Sequence, residues 1–167
     1  MLDRLYGIDM LLPPSVTDNA IDSALAELGE IALIVDRHGE LLAFERREAA
    51  DIAIATFKRH GIDSERCELL RLPREATPLL ETGALYGDYA IETSAGNVFF
   101  DVSLTASFAL DATKPEAEPA PALLQLEEHL IGSLRAEEGS LHLIDRQLAN
   151  LAERVARAYG CAAIWRY

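Results

Sequence analysis

Positive charge is scarce in this sequence. Against 28 aspartates and glutamates stand 15 lysines and arginines, only two of them lysine, and the formal net charge is −13. A chain so poor in basic residues lacks the clusters that neutralise phosphates, which argues against nucleic acid as a partner and against adhesion to an anionic membrane. Cysteine is scarcer still. Cys67 and Cys161 could form one bridge but no framework, and a reduced, bacterial-type cytoplasmic setting is the simpler expectation. No apolar run approaches the roughly 18 residues of a membrane span, and Met1-Leu2-Asp3-Arg4-Leu5-Tyr6 lacks the basic start of a secretory signal. Gly-x-Ser-x-Gly, Gly-x-x-x-x-Gly-Lys and Gly-x-Gly-x-x-Gly are all missing, which removes the usual signatures of a serine hydrolase, a phosphate-cradling loop and a dinucleotide site. No cofactor or metal is expected.

What is present is apolar patterning. Half of the 167 residues are hydrophobic, enough for one packed domain spanning 1–167. After an irregular leader ending at Pro13-Pro14, Thr17 or Asp18 caps a helix whose Ile21, Ala24, Leu25 and Leu28 share a face and which Gly29 stops. Residues 31–35 then read as a strand, 36–39 as a turn and 41–44 as the returning strand of a hairpin. A second helix over 48–60 ends in Lys58-Arg59-His60 before Gly61, as the helix dipole and a left-handed terminal residue favour. Residues 67–72 form a strand closed by Pro73, and 75–87 fit neither pattern cleanly.

Further on, 89–93 lead through a turn at 94–97 into a long strand. From Phe100 one face carries Phe100, Val102, Leu104, Ala106, Phe108 and Leu110, and the other Asp101, Ser103, Thr105 and Ser107. The three prolines within 112–122 mark a Pro/Ala/Glu linker or surface loop. Leu123, Leu126, Leu130, Ile131 and Leu134 suggest a third helix over 123–136. Ser140 caps a fourth, running through Leu141, Ile144, Leu148, Leu151, Val155 and Tyr159 to Gly160, before a terminal strand containing Trp165. The expected fold is α+β: an antiparallel sheet with helices packed on one face, in ferredoxin-like βαββαβ order.

The charge is unevenly distributed. Residues 1–45 and 75–140 carry nets of −7 and −10, while 46–74 and 141–167 carry +2 each. Glu116, Glu118, Glu127, Glu128, Glu137 and Glu138 form the densest acids and the candidate surface for a basic protein partner, since complementary fields steer association. The plainer alternative is a solvated face that keeps the protein soluble. Candidate chemistry is thin. His142 and Asp145, at i and i+3 of the expected helix, could face one metal, but a site needs three or four converging ligands. Glu92 and Asp101, on neighbouring strands, could act as an acid–base pair. Cys67 and Cys161 read as small buried hydrophobes, and Trp165 as a core residue or an interface anchor on a terminal strand.

The run Leu143-Ile144-Asp145-Arg146-Gln147-Leu148, through Leu151-Ala152 to Tyr159-Gly160 and Trp165, resembles the closing part of the family called regulator of ribonuclease E activity B, with a looser echo at Leu28-Gly29. The likeness covers residues 143–165. The 31–45 hairpin, the 112–122 segment and Ile164 in place of the family's glycine are departures from it. The resemblance implies a small acidic ferredoxin-like inhibitor that binds a basic region of a nuclease. The composition suits equally a secretion chaperone or an immunity protein against a basic toxin. The expected function is therefore a non-catalytic, acidic binding or regulatory protein for a basic partner, able to self-associate as a homodimer. The alternative is a small cytosolic enzyme using His142/Asp145 or Glu92/Asp101.

Overall fold

The central element of the first sheet is one the sequence hides. Residues 3–11, expected as an irregular leader, form a strand in the computed structural model, which describes residues 2–136 and 139–167. In chain order the elements are β1 (Asp3–Leu11), α1 (Asp18–Ile31), β2 (Asp36–His38), β3 (Leu41–Phe44), α2 (Arg47–Arg59), β4 (Asp63–Leu72), β5 (Leu80–Thr82), α3 (Tyr86–Tyr89), β6 (Ile91–Glu92), β7 (Val98–Asp101), β8 (Thr105–Asp111), α4 (Pro119–Leu126), β9 (Leu130–Ala136), β10 (Gly139–Asp145), α5 (Ala149–Ala158) and β11 (Ala162–Trp165). They gather into two units. One holds residues 2–72 and 91–99, the other residues 73–90 and 100–167, so the chain leaves the first unit, returns, and leaves it again within β7.

The first unit has sheet order β2-β3-β1-β4-β7-β6, with β1 antiparallel to both β3 and β4. The segment β1-α1-β2-β3-α2-β4 is therefore a complete split βαβ pair within residues 3–72, whereas the sequence suggests one βαββαβ order across the whole chain with the 31–45 hairpin as its first strand. Thr17, rather than Asp18, caps α1: its Oγ1 accepts the Ala20 amide at 3.3 Å. The hairpin sits later than expected. Gly39, at φ 57°, supplies the left-handed residue of a two-residue turn, so 36–38 pair with 41–43 while 31–35 complete α1 and a connection. Ile8, Leu28, Leu42, Phe44, Ala53 and Phe57 form the core beneath the helices. The other face holds its own apolar cluster of Leu5, Ala43, Leu69 and Phe99. Although β2 and β6 end opposite edges of this sheet, Asp36 Oδ2 accepts hydrogen bonds of 2.7 Å from both Thr93 Oγ1 and Asn97 Nδ2. The sheet curls until its two ends meet, enclosing the second cluster.

The second unit repeats the plan. Its sheet order is β11-β8-β10-β9-β5, and β8-α4-β9-β10-α5-β11 is again a split βαβ pair, with all of its pairings antiparallel. Three expectations fail in this part of the chain. The long strand from Phe100 is broken because Asp101 Oδ1 accepts from both the amide and the hydroxyl of Ser103, at 2.7 and 2.6 Å, and folds 102–104 into a turn that leaves Leu104 exposed. The 112–122 linker ends in helix: Pro119 and Pro121 fall in the first turn of α4, where no intrahelical amide donor is needed. The expected helices over 123–136 and from Ser140 are largely strand, β9 and β10. The cap is instead Asp145, whose side chain accepts the Gln147 amide at 2.8 Å, and α5 begins only at Ala149. Ala106, Phe108, Leu126, Ile144, Ala152 and Val155 fill the core under α4 and α5. Among the described residues no helix is long and apolar enough to cross a membrane.

Candidate functional site

The second unit's sheet ends in a very short strand. Only Leu80, Glu81 and Thr82 of β5 pair with β9, opposite Leu134, Ser133 and Gly132. The following loop is pinned back on β9: the Gly83 amide donates to Ile131 O at 2.9 Å and the Leu85 amide to Leu130 O at 3.1 Å. Gly83 runs so close to the Leu130 carbonyl that a Cβ there would overlap it. This tight wall faces residues 127–129, a single helical turn that follows α4. Between them lies an open groove of about 510 Å³, lined by Glu81, Thr82, Gly83, Ala84, Glu127, Glu128, Leu130 and Ser133.

Three carboxylates, Glu81, Glu127 and Glu128, thus rim one concavity. Arg135 reaches Glu81 at 3.3 Å, but both side chains are well exposed, and such a pair is easily exchanged for another cation. Strand register aligns a row across the sheet that leads into the groove: Trp165, Phe108, His142, Ser133 and Glu81 stand opposite one another on β11, β8, β10, β9 and β5. Phe108 lies 5.3 Å from Trp165 and 5.4 Å from His142 between ring centroids. His142 Nδ1 and Ser133 Oγ share a 2.8 Å hydrogen bond, and Trp165 Nε1 donates to Glu153 Oε1 at 2.9 Å. His142 is buried, and burial pushes its pKa below the ordinary imidazole value, which keeps the ring neutral at pH 7.

Of the six acids singled out from the sequence, Glu127 and Glu128 line the groove. Glu116 and Glu118 lie beyond the other end of α4, about 12 Å of helix away, where the Glu118 amide donates to Tyr159 O at 2.9 Å. Glu137 and Glu138 lie outside the described residues. Glu81 was not anticipated. It falls in a stretch without periodicity, and only the pairing of β5 with β9 brings it to the groove.

The candidate catalytic pairs come apart. His142 and Asp145 lie on a strand, where residues three apart point to opposite faces. Asp145 Oδ2 instead accepts the Tyr89 hydroxyl at 2.5 Å, which raises the Tyr89 pKa, and His142 faces Ser133. Glu92 stands opposite Val98, and Asp101 is committed to its own turn with Ser103. Among the described residues no group of three or more His, Cys, Asp or Glu has metal-binding geometry. Cys67 and Cys161 are both unbridged thiols, the first half-buried and the second buried. No protein-family model, curated protein or solved structure matches this chain.

Proposed function

We infer that the protein is a non-catalytic acidic binding or regulatory protein, and that its groove takes a basic segment of a protein partner. One observation carries this reading: Glu81, Glu127 and Glu128 rim a single concavity, and Arg135, which pairs with Glu81, is itself exposed and displaceable. A guanidinium from outside would find carboxylates for paired hydrogen bonds and the Thr82 and Ser133 hydroxyls alongside. The net −10 of residues 75–140 draws such a segment in from a distance, an attraction that salt screens. A nuclease with a basic region, as the resemblance at residues 143–165 implies, is one partner of this chemistry.

The test is titration of the full chain with an oligo-arginine peptide and with an oligo-glutamate control. Binding of the basic peptide alone is expected, weakening steeply with salt. The triple change Glu81→Gln, Glu127→Gln and Glu128→Gln is expected to weaken it by about tenfold or more, as loss of about 1.4 kcal/mol would. Equal binding by the triple variant would remove the groove as the site.

A further inference from the structure

A different feature of the second unit points to a partner. Among the described residues β11 ends the sheet, pairing with β8 on one side and with no strand on the other. Its register sets Ala162, Ala163, Ile164 and Trp165 opposite Asp111, Leu110, Ala109 and Phe108. Beyond the strand, the Arg166 amide donates to Ser107 O at 2.9 Å, which fixes the alternation as far as Arg166, and the Ser107 amide donates to Tyr167 O at 3.4 Å, where the ladder slips by a residue. Residues 162, 164 and 166 therefore bond to β8, while the amides and carbonyls of Ala163 and Trp165 point outward. Natural edge strands are blunted by brevity, lysine, proline, a bulge or an inward charge, and Ala162–Trp165, though only four residues long, has none of the other four. Ile164 is 42% exposed on the face away from the helices.

We propose that this edge pairs antiparallel with β11 of a second copy of the chain, about a two-fold axis through Ile164. In that register Ala163 bonds with Trp165 of the other copy, twice over, and every outward group of the strand is satisfied. Ile164 meets its own counterpart in a close pair with Cα atoms about 4.5 Å apart. Ala162 falls opposite Arg166 of the other copy. Asp111 already stands opposite Ala162 on the same face, so Arg166 and Asp111 from different copies flank a methyl side chain, two strand spacings or about 9.5 Å apart. That separation is spanned by an arginine reaching to an aspartate, and symmetry makes the ion pair twice. An axis through Ala163 would instead call on the Cys161 amide, which already donates to Ala156 O. The arrangement is isologous and closes at two copies, with a continuous ten-stranded sheet.

Sedimentation equilibrium of the full chain tests it. A species of twice the 18.3 kDa chain mass is expected. Ile164→Lys, which sets two like charges face to face on the axis, and Arg166→Asp, which faces Asp111, should each raise the dissociation constant by about tenfold or more. Combining Arg166→Asp with Asp111→Arg should restore the dimer, since only this register brings those two positions together. Circular dichroism of each variant checks that the fold is retained. A chain that stays monomeric to its solubility limit, a dimer indifferent to both single changes, or loss without rescue by the charge swap would overturn the proposal.

Discussion

Residues 3–72 and 105–165 lay down the same six elements in the same sheet order, yet they cover their sheets differently. In the first, α1 and α2 have 14 and 13 residues and both sheet faces carry apolar clusters. In the second, α4 and α5 have 8 and 10 residues. At 1.5 Å per residue, α4 spans about 12 Å where α1 spans about 21 Å. Beyond the end of the shorter helix lies the groove, and toward it the row of side chains turns from Phe108 through His142 and Ser133 to Glu81. One plan thus yields a closed unit, whose sheet ends meet at Asp36, and an open one, whose sheet ends at the groove.

One glycine from each unit separates a rigid wall from a yielding interior. Gly83 runs against the backbone carbonyl of Leu130, which cannot yield without unpinning the groove wall. Gly7, on β1, faces the Cys67 and Leu69 side chains, which can shift. Gly83→Ala should therefore cost at or above about 3 kcal/mol, and Gly7→Ala about 1–3 kcal/mol, in urea unfolding. Equal costs would show that the groove wall is no more rigid than the interior of the first unit.

Acid should act next most strongly, through the buried imidazole of the open unit. The folded-state pKa of His142 lies below 6.5, so the unfolded chain takes up its proton first as pH falls. The contribution is complete above pH 6.5 and is lost as pH drops from there through the folded value, at up to about 1.4 kcal/mol per pH unit. His142→Gln should remove that part of the slope in urea unfolding measured from pH 7.5 down to about pH 5. An unchanged slope would show that the row tolerates a charge.

The smallest effect belongs to the closed unit and has the opposite sign. Asp9 stands opposite Glu65 and near Glu40, and burial, then those two charges, raise its pKa. A carboxyl raised on folding favours the native state below its unfolded pKa of about 3.8 and opposes it once both states are ionised. Asp9→Asn should thus stabilise the chain at neutral pH by no more than about 0.5 kcal/mol, since the site is solvent-screened, with the gain vanishing below about pH 3.8. Destabilisation at pH 7 would mean that Asp9 makes a favourable contact after all.

Much of this contrast was legible residue by residue, and the gaps have physical causes. α2 announces itself through Lys58-Arg59-His60-Gly61, and the β6–β7 hairpin through its turn at 94–97. β1 does not, because its buried Leu5, Gly7, Ile8 and Met10 fall on both faces and break any alternation, and Gly7 and Pro13-Pro14 look like punctuation. β9 reads as helix because leucines at 126, 130 and 134 suit a period of 3.6 as well as a period of 2. The groove drew only Glu127 and Glu128 from the sequence. Glu81 and Ser133 come together through a cross-strand register between segments some fifty residues apart, which no local pattern encodes.

The two bonds to Asp36 also bear on the order in which the chain can fold. They join residue 36 to residues 93 and 97, across separations of 57 and 61 positions, and the stretch 73–90 that intervenes belongs to the other unit. As the chain emerges from its N-terminus, the βαββαβ of residues 3–72 is complete before its closing hairpin exists. Until residues 91–99 arrive, β4 is an open edge, Leu5, Leu69 and Ala43 lack the Phe99 side chain that covers them, and the loop-closure entropy of that long return is still to be met. The unit that ends up sealed is thus the one that must wait, exposed, for a piece encoded later.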